Sequence, residues 1–284
     1  MFSLLLTQPP ACLITSCRNI EEPGEIEDVS VKTDSSRFNL RIDVSSEISD
    51  SLTRVSNLDL LVYDSDGLGS LETWLNYDRL PDSISFEGAK RTKTVVAIAN
   101  SPRSFSRRAI ERFDSIEQLS YDFEEDSPQE PLMSGMCSLL PERTGHISLI
   151  PLMSRIRLGE ISNTMKGYAR LEDPRIYLEN ANSAAEILKD SDFRPSEYLK
   201  VKNKQKLPYD VGIFSQRPGN ELFCYPNDTP ESTLGAPQTS LVLECEIYGN
   251  TCRFPVILGS IGRNQTLHVD ISVGGPAIYE SKVY

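Results

Sequence analysis

The first ordered signal in this chain is alternation. Phe38, Leu40, Ile42 and Val44 are apolar, and Asn39, Arg41 and Asp43 between them are polar. A period of two predicts a strand with one buried face. Leu58–Tyr63 predicts a second strand, and Asp64-Ser65-Asp66-Gly67 reads as a turn after it. The same DxDG also opens some calcium loops, but Leu75 stands where such a loop needs a glutamate. Thr94–Ala99 is a short continuous apolar run, suited to a buried strand and stopped by Ser101-Pro102.

The period then changes. Ala109, Ile110, Phe113, Ile116 and Leu119 recur at helical spacing, with Arg107, Arg108, Glu111, Arg112 and Glu117 on the other face. This predicts one amphipathic helix, with Ser106 as its N-cap, covering a core. Asp122–Pro131 reads as an acidic loop. Strand character returns at His146–Leu158 and Arg175–Leu178, followed by a short helical patch at Ser183–Lys189 and a polar, lysine-rich stretch at Lys200–Lys206. Phe223–Gln238 is proline-bearing and reads as a long loop. Ser240–Tyr248 and Phe254–Leu258 read as paired strands joined by a turn at Gly249-Asn250, and Gln265–Val273 alternates once more. Strands dominate, with one or two short helices. The expected fold is mainly β: two β-sandwich domains, at 29–143 and 144–284.

Length and composition agree with that division. At about 100–200 residues per domain, 284 residues suggest two domains. With 39% hydrophobic and 25% charged residues the chain can build real cores. A formal charge of −12 repels phosphate backbones and argues against nucleic acid as a partner. Of six cysteines, Cys12 and Cys17 lie near the amino terminus, and Cys137, Cys224, Cys245 and Cys252 remain. There is no CxxC pair and there are only two histidines, so no metal is expected. Cys245 and Cys252 flank the expected hairpin turn. They suit a disulfide in an oxidising compartment and buried thiols otherwise.

The amino terminus has its own logic. Residues 1–17 read MFSLLLTQPPACLITSC. Their apolar runs fall short of the roughly 20 residues needed to span a bilayer, and they suit a secretion signal. Ile14-Thr15-Ser16-Cys17 resembles a lipobox, in which the cysteine receives lipid and becomes the new amino terminus. Buried acyl methylenes then anchor the protein at about 0.8 kcal/mol each. No Lys or Arg precedes the apolar run, and Pro9 and Pro10 interrupt it. Residues 18–28, with Glu21, Glu22, Glu25, Glu27 and Asp28, form an acidic tether that resembles the surface-export signal of Bacteroidota lipoproteins.

Several segments together resemble the fimbrillin superfamily of Bacteroidales, whose members build type V pili. They are NLDLLVYDSDG (57–67), KTVVAIAN (93–100), LMSG (132–135), ISLIPLMSRIRLGEI (147–161), RIYLEN (175–180), CYPND (224–228) and SIGRNQTLHVDISVGGP (260–276). Within the superfamily the chain is most similar to anchor subunits of the minor fimbria. The resemblance implies two transthyretin-like β-sandwiches and partnership with other fimbrial subunits by strand exchange, a form of β-augmentation. It also implies surface exposure at the outer membrane, through lipid on Cys17. Stalk subunits of the family mature by cleavage after an arginine. Arg18, Arg37, Arg41 and Arg54 are the early arginines here, and none closes a clear pro-region, which favours an anchor that keeps its first strand.

No catalytic constellation stands out. There is no GxSxG elbow, phosphate-binding glycine loop or HExxH, and acidic pairs such as Glu124/Glu125 lie in loops. No enzyme activity and no cofactor are expected. Two other readings stay open: a polymerising or tip subunit, and a surface glycan-binding lipoprotein, for which Trp74 and Tyr77 would supply an aromatic platform.

Overall fold

The computed structural model describes residues 35–49, 53–65, 68–231 and 233–284, and residues 34–284 form one compact unit. Cys17, Arg18 and the acidic tether lie outside the described residues, as do Asp66 and Gly67 of the DxDG turn. The first half of this unit contains β1 (Ser35–Val44), β2 (Leu58–Asp64), β3 (Leu71–Tyr77), β4 (Ile84–Ala89), β5 (Lys93–Ala99), α1 (Phe113–Glu117), β6 (Ser120–Asp122), β7 (Met133–Leu139) and β8 (Thr144–Pro151). The second contains β9 (Ser154–Asn163), β10 (Glu172–Glu179), β11 (Ala181–Asn182), β12 (Ala184–Glu186), β13 (Tyr198–Leu199), β14 (Lys202–Lys206), β15 (Glu221–Cys224), β16 (Ser240–Ile247), β17 (Asn250–Ile257), β18 (Thr266–Gly275) and β19 (Ile278–Val283).

Seven strands form one sheet in the order β3-β2-β5-β7-β8-β1-β4. Between β7 and β8 only Met133↔Pro151 and Ser134↔Ile150 pair, so the sheet changes direction at this seam. Gly135 allows the close approach there: a Cβ on it would lie 2.4 Å from the Ser148 carbonyl oxygen. The alternating side chains of β1, β2, β4, β5, β7 and β8 then meet in one core, with Phe38, Leu40, Leu60, Val95, Ile147 and Leu149 among its members. This is how period two becomes packing: one face of each strand is apolar and finds the same face of the others.

Two four-stranded sheets make a second sandwich, β14-β10-β16-β17 against β15-β9-β18-β19. Ile176, Leu178, Leu243 and Phe254 from one sheet pack with Ile156, Leu158, Val269 and Ile271 from the other. A third cluster covers the outer face of β2 and β5. There Leu61, Tyr63, Val96 and Ile98 pack beneath Ile110, Ile116, Tyr121 and Phe123, and against Ile187, Phe193 and Tyr225 from the second half. The mainly β expectation therefore holds.

Four local expectations do not. The stretch His146–Leu158 reads as one run but is two strands: β8 joins β1 and β7 in the first sheet, and β9 starts in the second sandwich. The division at 143/144 thus falls one strand before the sheets change, because both strands are buried and only two residues separate them. The helix expected from Ser106 is shorter, running over Phe113–Glu117 with Arg112 as its N-cap. Ser106 only supports a turn, its carbonyl accepting the Ala109 N–H at 2.9 Å. The patch at Ser183–Lys189 contains β12, which pairs with β6, so tertiary pairing overrides helical spacing. The lysine-rich Lys200–Lys206 likewise contains an edge strand, β14, with Lys204 and Lys206 exposed and Lys202 paired with Glu124 at 2.9 Å.

Candidate functional site

β1 is the first described strand and an inner one. It pairs antiparallel with β4 from Ser35↔Ala89 to Leu40↔Ile84, and parallel with β8 from Asn39↔Thr144 to Val44↔Leu149. Its buried side is carried by Phe38 and Leu40, at 0% and 1% exposure, while Arg37 and Arg41 project outward. Phe38 stacks on Phe86 with ring centroids 5.3 Å apart. Asp43 accepts from Ser148 at 3.0 Å and contacts His146 at 2.7 Å, tying the far end of β1 to β8.

Beneath Phe38 lies a buried charge. Lys93 is fully enclosed, its ammonium 2.5 Å from Glu72 and 3.4 Å from Asp64, and 6.0 Å from the Phe38 ring centre. Glu72 also accepts the Ala89 N–H at 2.8 Å, and Arg91 contacts Asp64 at 3.3 Å. One ion cluster thus links β2, β3, β4 and β5 at the place where β1 seats. Sequence patterning missed it, because Lys93 reads as the polar margin of TVVAIA. The available signal was acidic residues at the ends of the two neighbouring strands.

Cys245 and Cys252 sit directly opposite each other in the β16–β17 ladder, joined by a turn at Tyr248-Gly249 with φ of 53° and 74°. Both are buried free thiols in this structure. Burial pushes the Cys245 thiol up to about 12, which disfavours the thiolate that exchange chemistry needs. Trp74 does not form an open platform. It is half-buried, and its indole Nε1–H donates to Asp59 at 2.8 Å, while Tyr77 packs against the first core. No cluster of metal-ligating side chains occurs among the described residues.

Asp126 adds a pH-sensitive joint between the halves. Its carboxylate accepts the Ser127 and Leu132 N–H groups at 2.8 Å and the Tyr225 hydroxyl at 3.2 Å. Desolvation still outweighs these bonds and raises its pKa from 3.8 to about 6. The fold therefore prefers the protonated form. The stability from that preference is complete below pH 3.8 and is lost as pH rises through about 6. The expected loss is about 2–3 kcal/mol, from a shift of about two units at 1.36 kcal/mol each. Asp126→Asn should flatten the dependence of urea midpoint on pH across this window. An unchanged profile in the variant would show that another group is responsible.

No family model matches the chain, and no curated protein matches its sequence. Solved structures do match. A protein assigned to cell adhesion from Parabacteroides distasonis superposes with TM-score 0.67 at 14% identity, covering 88% of this chain and 96% of that one. A fimbrilin from Porphyromonas gingivalis gives TM-score 0.63 at 13% identity, covering 87% and 95%. The tip fimbrial protein Mfa3 of the same organism gives 0.59 at 14% identity, covering 88% and 98%. The resemblance read from the scattered sequence segments is thus one of fold: the chain shares the architecture of these solved fimbrial and cell adhesion proteins.

Proposed function

We propose that this protein is a fimbrial subunit of the cell surface, lipid-anchored at Cys17, that joins other subunits by strand exchange and keeps its own β1. The observation that carries the reading is β1 itself. A strand from the amino-terminal end of the chain fills an inner position and ladders on both edges. A groove so lined offers main-chain donors and acceptors to any extended strand, plus apolar seats at alternate positions. That the similar folds include a fimbrilin and a tip fimbrial protein supports the same reading. Arg37 and Arg41 lie within the β1 ladder, where a protease would have to unpair the strand to reach them. That protects the strand itself, whereas Arg54, exposed in the connection after β1, is within a protease's reach, and cleavage there is the outcome that would mark a polymerising subunit.

The mature amino terminus tests the choice of role. Mass spectrometry should find acylated Cys17 as the first residue. A start after an internal arginine would contradict the anchor reading and favour a polymerising subunit. Cys245 and Cys252 face each other across β16 and β17, and an oxidising compartment would let them close a disulfide there although burial disfavours the thiolate. Intact mass before and after reduction should then differ by two hydrogens. Alkylation of both thiols in unreduced, denatured protein from the native host would rule the bond out.

A further inference from the structure

Exposed apolar side chains gather on two connections of the second sandwich. The β9–β10 connection carries Lys166, Tyr168 and Arg170, and the β14–β15 connection carries Asp210, Ile213 and Phe214. Tyr168 is 98% exposed and Phe214 79%. Between the two loops lies a cavity of about 480 Å³ with Tyr168, Arg170, Asp210 and Phe214 in its wall, a size within the range of small-ligand sites.

The tip that bears Phe214 is held at its base. Leu171 and Val211 exchange two backbone hydrogen bonds of 3.0 Å, and Ile161 and Gln216 exchange two of 2.8 and 2.9 Å. The Gln216 amide adds a bond to the Asp210 carbonyl at 2.6 Å. The base is therefore fixed, and two large apolar side chains stand in water at its end. Solvation does not favour that placement, and a partner would. Because the backbone at Val211 and Gln216 is already paired, the tip offers no free edge for an added peptide strand.

Charge narrows the partner. The protein carries −12 overall, yet Lys166 and Arg170 flank Tyr168, and among the described residues neither forms an ion pair. Arg170 lies against Gly212, its Nε 3.7 Å from where a Cβ would stand. Asp210 accepts the Asp173 N–H at 3.0 Å through one carboxylate oxygen. We propose that these two loops form a binding site for a carboxylated oligosaccharide, with pyranose C–H faces on Tyr168 and Phe214, the sugar carboxylate on Arg170, and a hydroxyl donating to Asp210. Flat exposed rings beside an unpaired guanidinium match the two halves of such a ligand, its apolar ring face and its anionic group.

This inference goes beyond the fimbrial reading and does not depend on it. The test is calorimetric titration of the purified full chain with oligogalacturonate and sialyllactose, with maltohexaose as the neutral control. At least one acidic sugar should bind, at least about tenfold more tightly than the control, and more weakly as salt rises. Arg170→Ala, Tyr168→Ala and Phe214→Ala should each weaken binding about tenfold, or 1.4 kcal/mol. All three residues are exposed, so the variants should unfold like the parent. Failure of both acidic sugars to bind overturns the proposal, as does binding that survives all three substitutions. Binding to anionic lipid vesicles that neither acidic sugar displaces overturns it in favour of a membrane-facing role. Fimbrial attachment in a deletion strain is a separate readout, so failure of one reading leaves the other standing or falling by itself.

Discussion

Lys93→Met should destabilise the protein by about 3–5 kcal/mol, because it removes the cation from a buried cluster and leaves Glu72 and Asp64 facing the core without it. The ammonium is fully enclosed, and the carboxylates are only slightly exposed, at 15% and 25%. Glu72 then keeps only the Ala89 N–H at 2.8 Å, and Arg91 still serves Asp64. The double variant Lys93→Met with Glu72→Leu should recover much of the loss, since it removes the stranded charge together with its partner. That non-additivity is the signature of a coupled pair. Urea denaturation of the single and double variants measures it. If the double variant loses the sum of the two single losses, the cluster is not acting as a unit and the account of the β1 seat is wrong.

The second large effect concerns the strand above that cluster. Phe38→Ala should cost about 3–5 kcal/mol by the cavity it leaves. The ring is fully buried, stacks on Phe86 and shields Lys93. The substitution should do more than lower stability. It should loosen β1 selectively, so that amide exchange accelerates in Ser35–Val44 and in the facing β4 and β8 residues before the second sandwich responds. Asn39→Ala, on the half-buried side of the same strand, is the matched control with a small effect. Uniform acceleration over both sandwiches would mean that β1 is not a separable element, and the strand-exchange reading would lose its physical basis.

Much of the fold was legible in the residues, and the failures have physical causes. Alternation located β1 and β18 because one face of each is buried and the other more open, and turn residues between two apolar runs located the β16–β17 hairpin. Continuous apolar runs located β2 and β5, which are buried on both faces. Where a strand edge is polar, as in β14, or where three residues pair across the fold, as in β12 with β6, local pattern carries no strand signal. The sheet boundary between β8 and β9 was hidden for a related reason: Pro151 to Ser154 joins two cores without becoming polar.

The site divides in the same way. The ladder places Cys245 opposite Cys252, and the turn between them is Tyr248-Gly249, one residue before the expected Gly249-Asn250. For Trp74 residue type left both a platform and rim packing open, and its bond to Asp59 shows the packed side. Lys93 was invisible because burial of a charge depends on partners distant in sequence, here 21 and 29 positions away. The exposed aromatic loops were missed because nothing in a lone Tyr168 or Phe214 tells whether it folds inward.

The central claim is that this chain holds fimbriae to the cell surface. It is tested most directly by deleting the gene in the native strain and measuring fimbriae on cells against fimbriae in the medium. The account predicts fimbriae released into the medium or altered in length, restored by the wild-type chain and not by Cys17→Ala. Fully attached fimbriae of unchanged length in the deletion strain would contradict it.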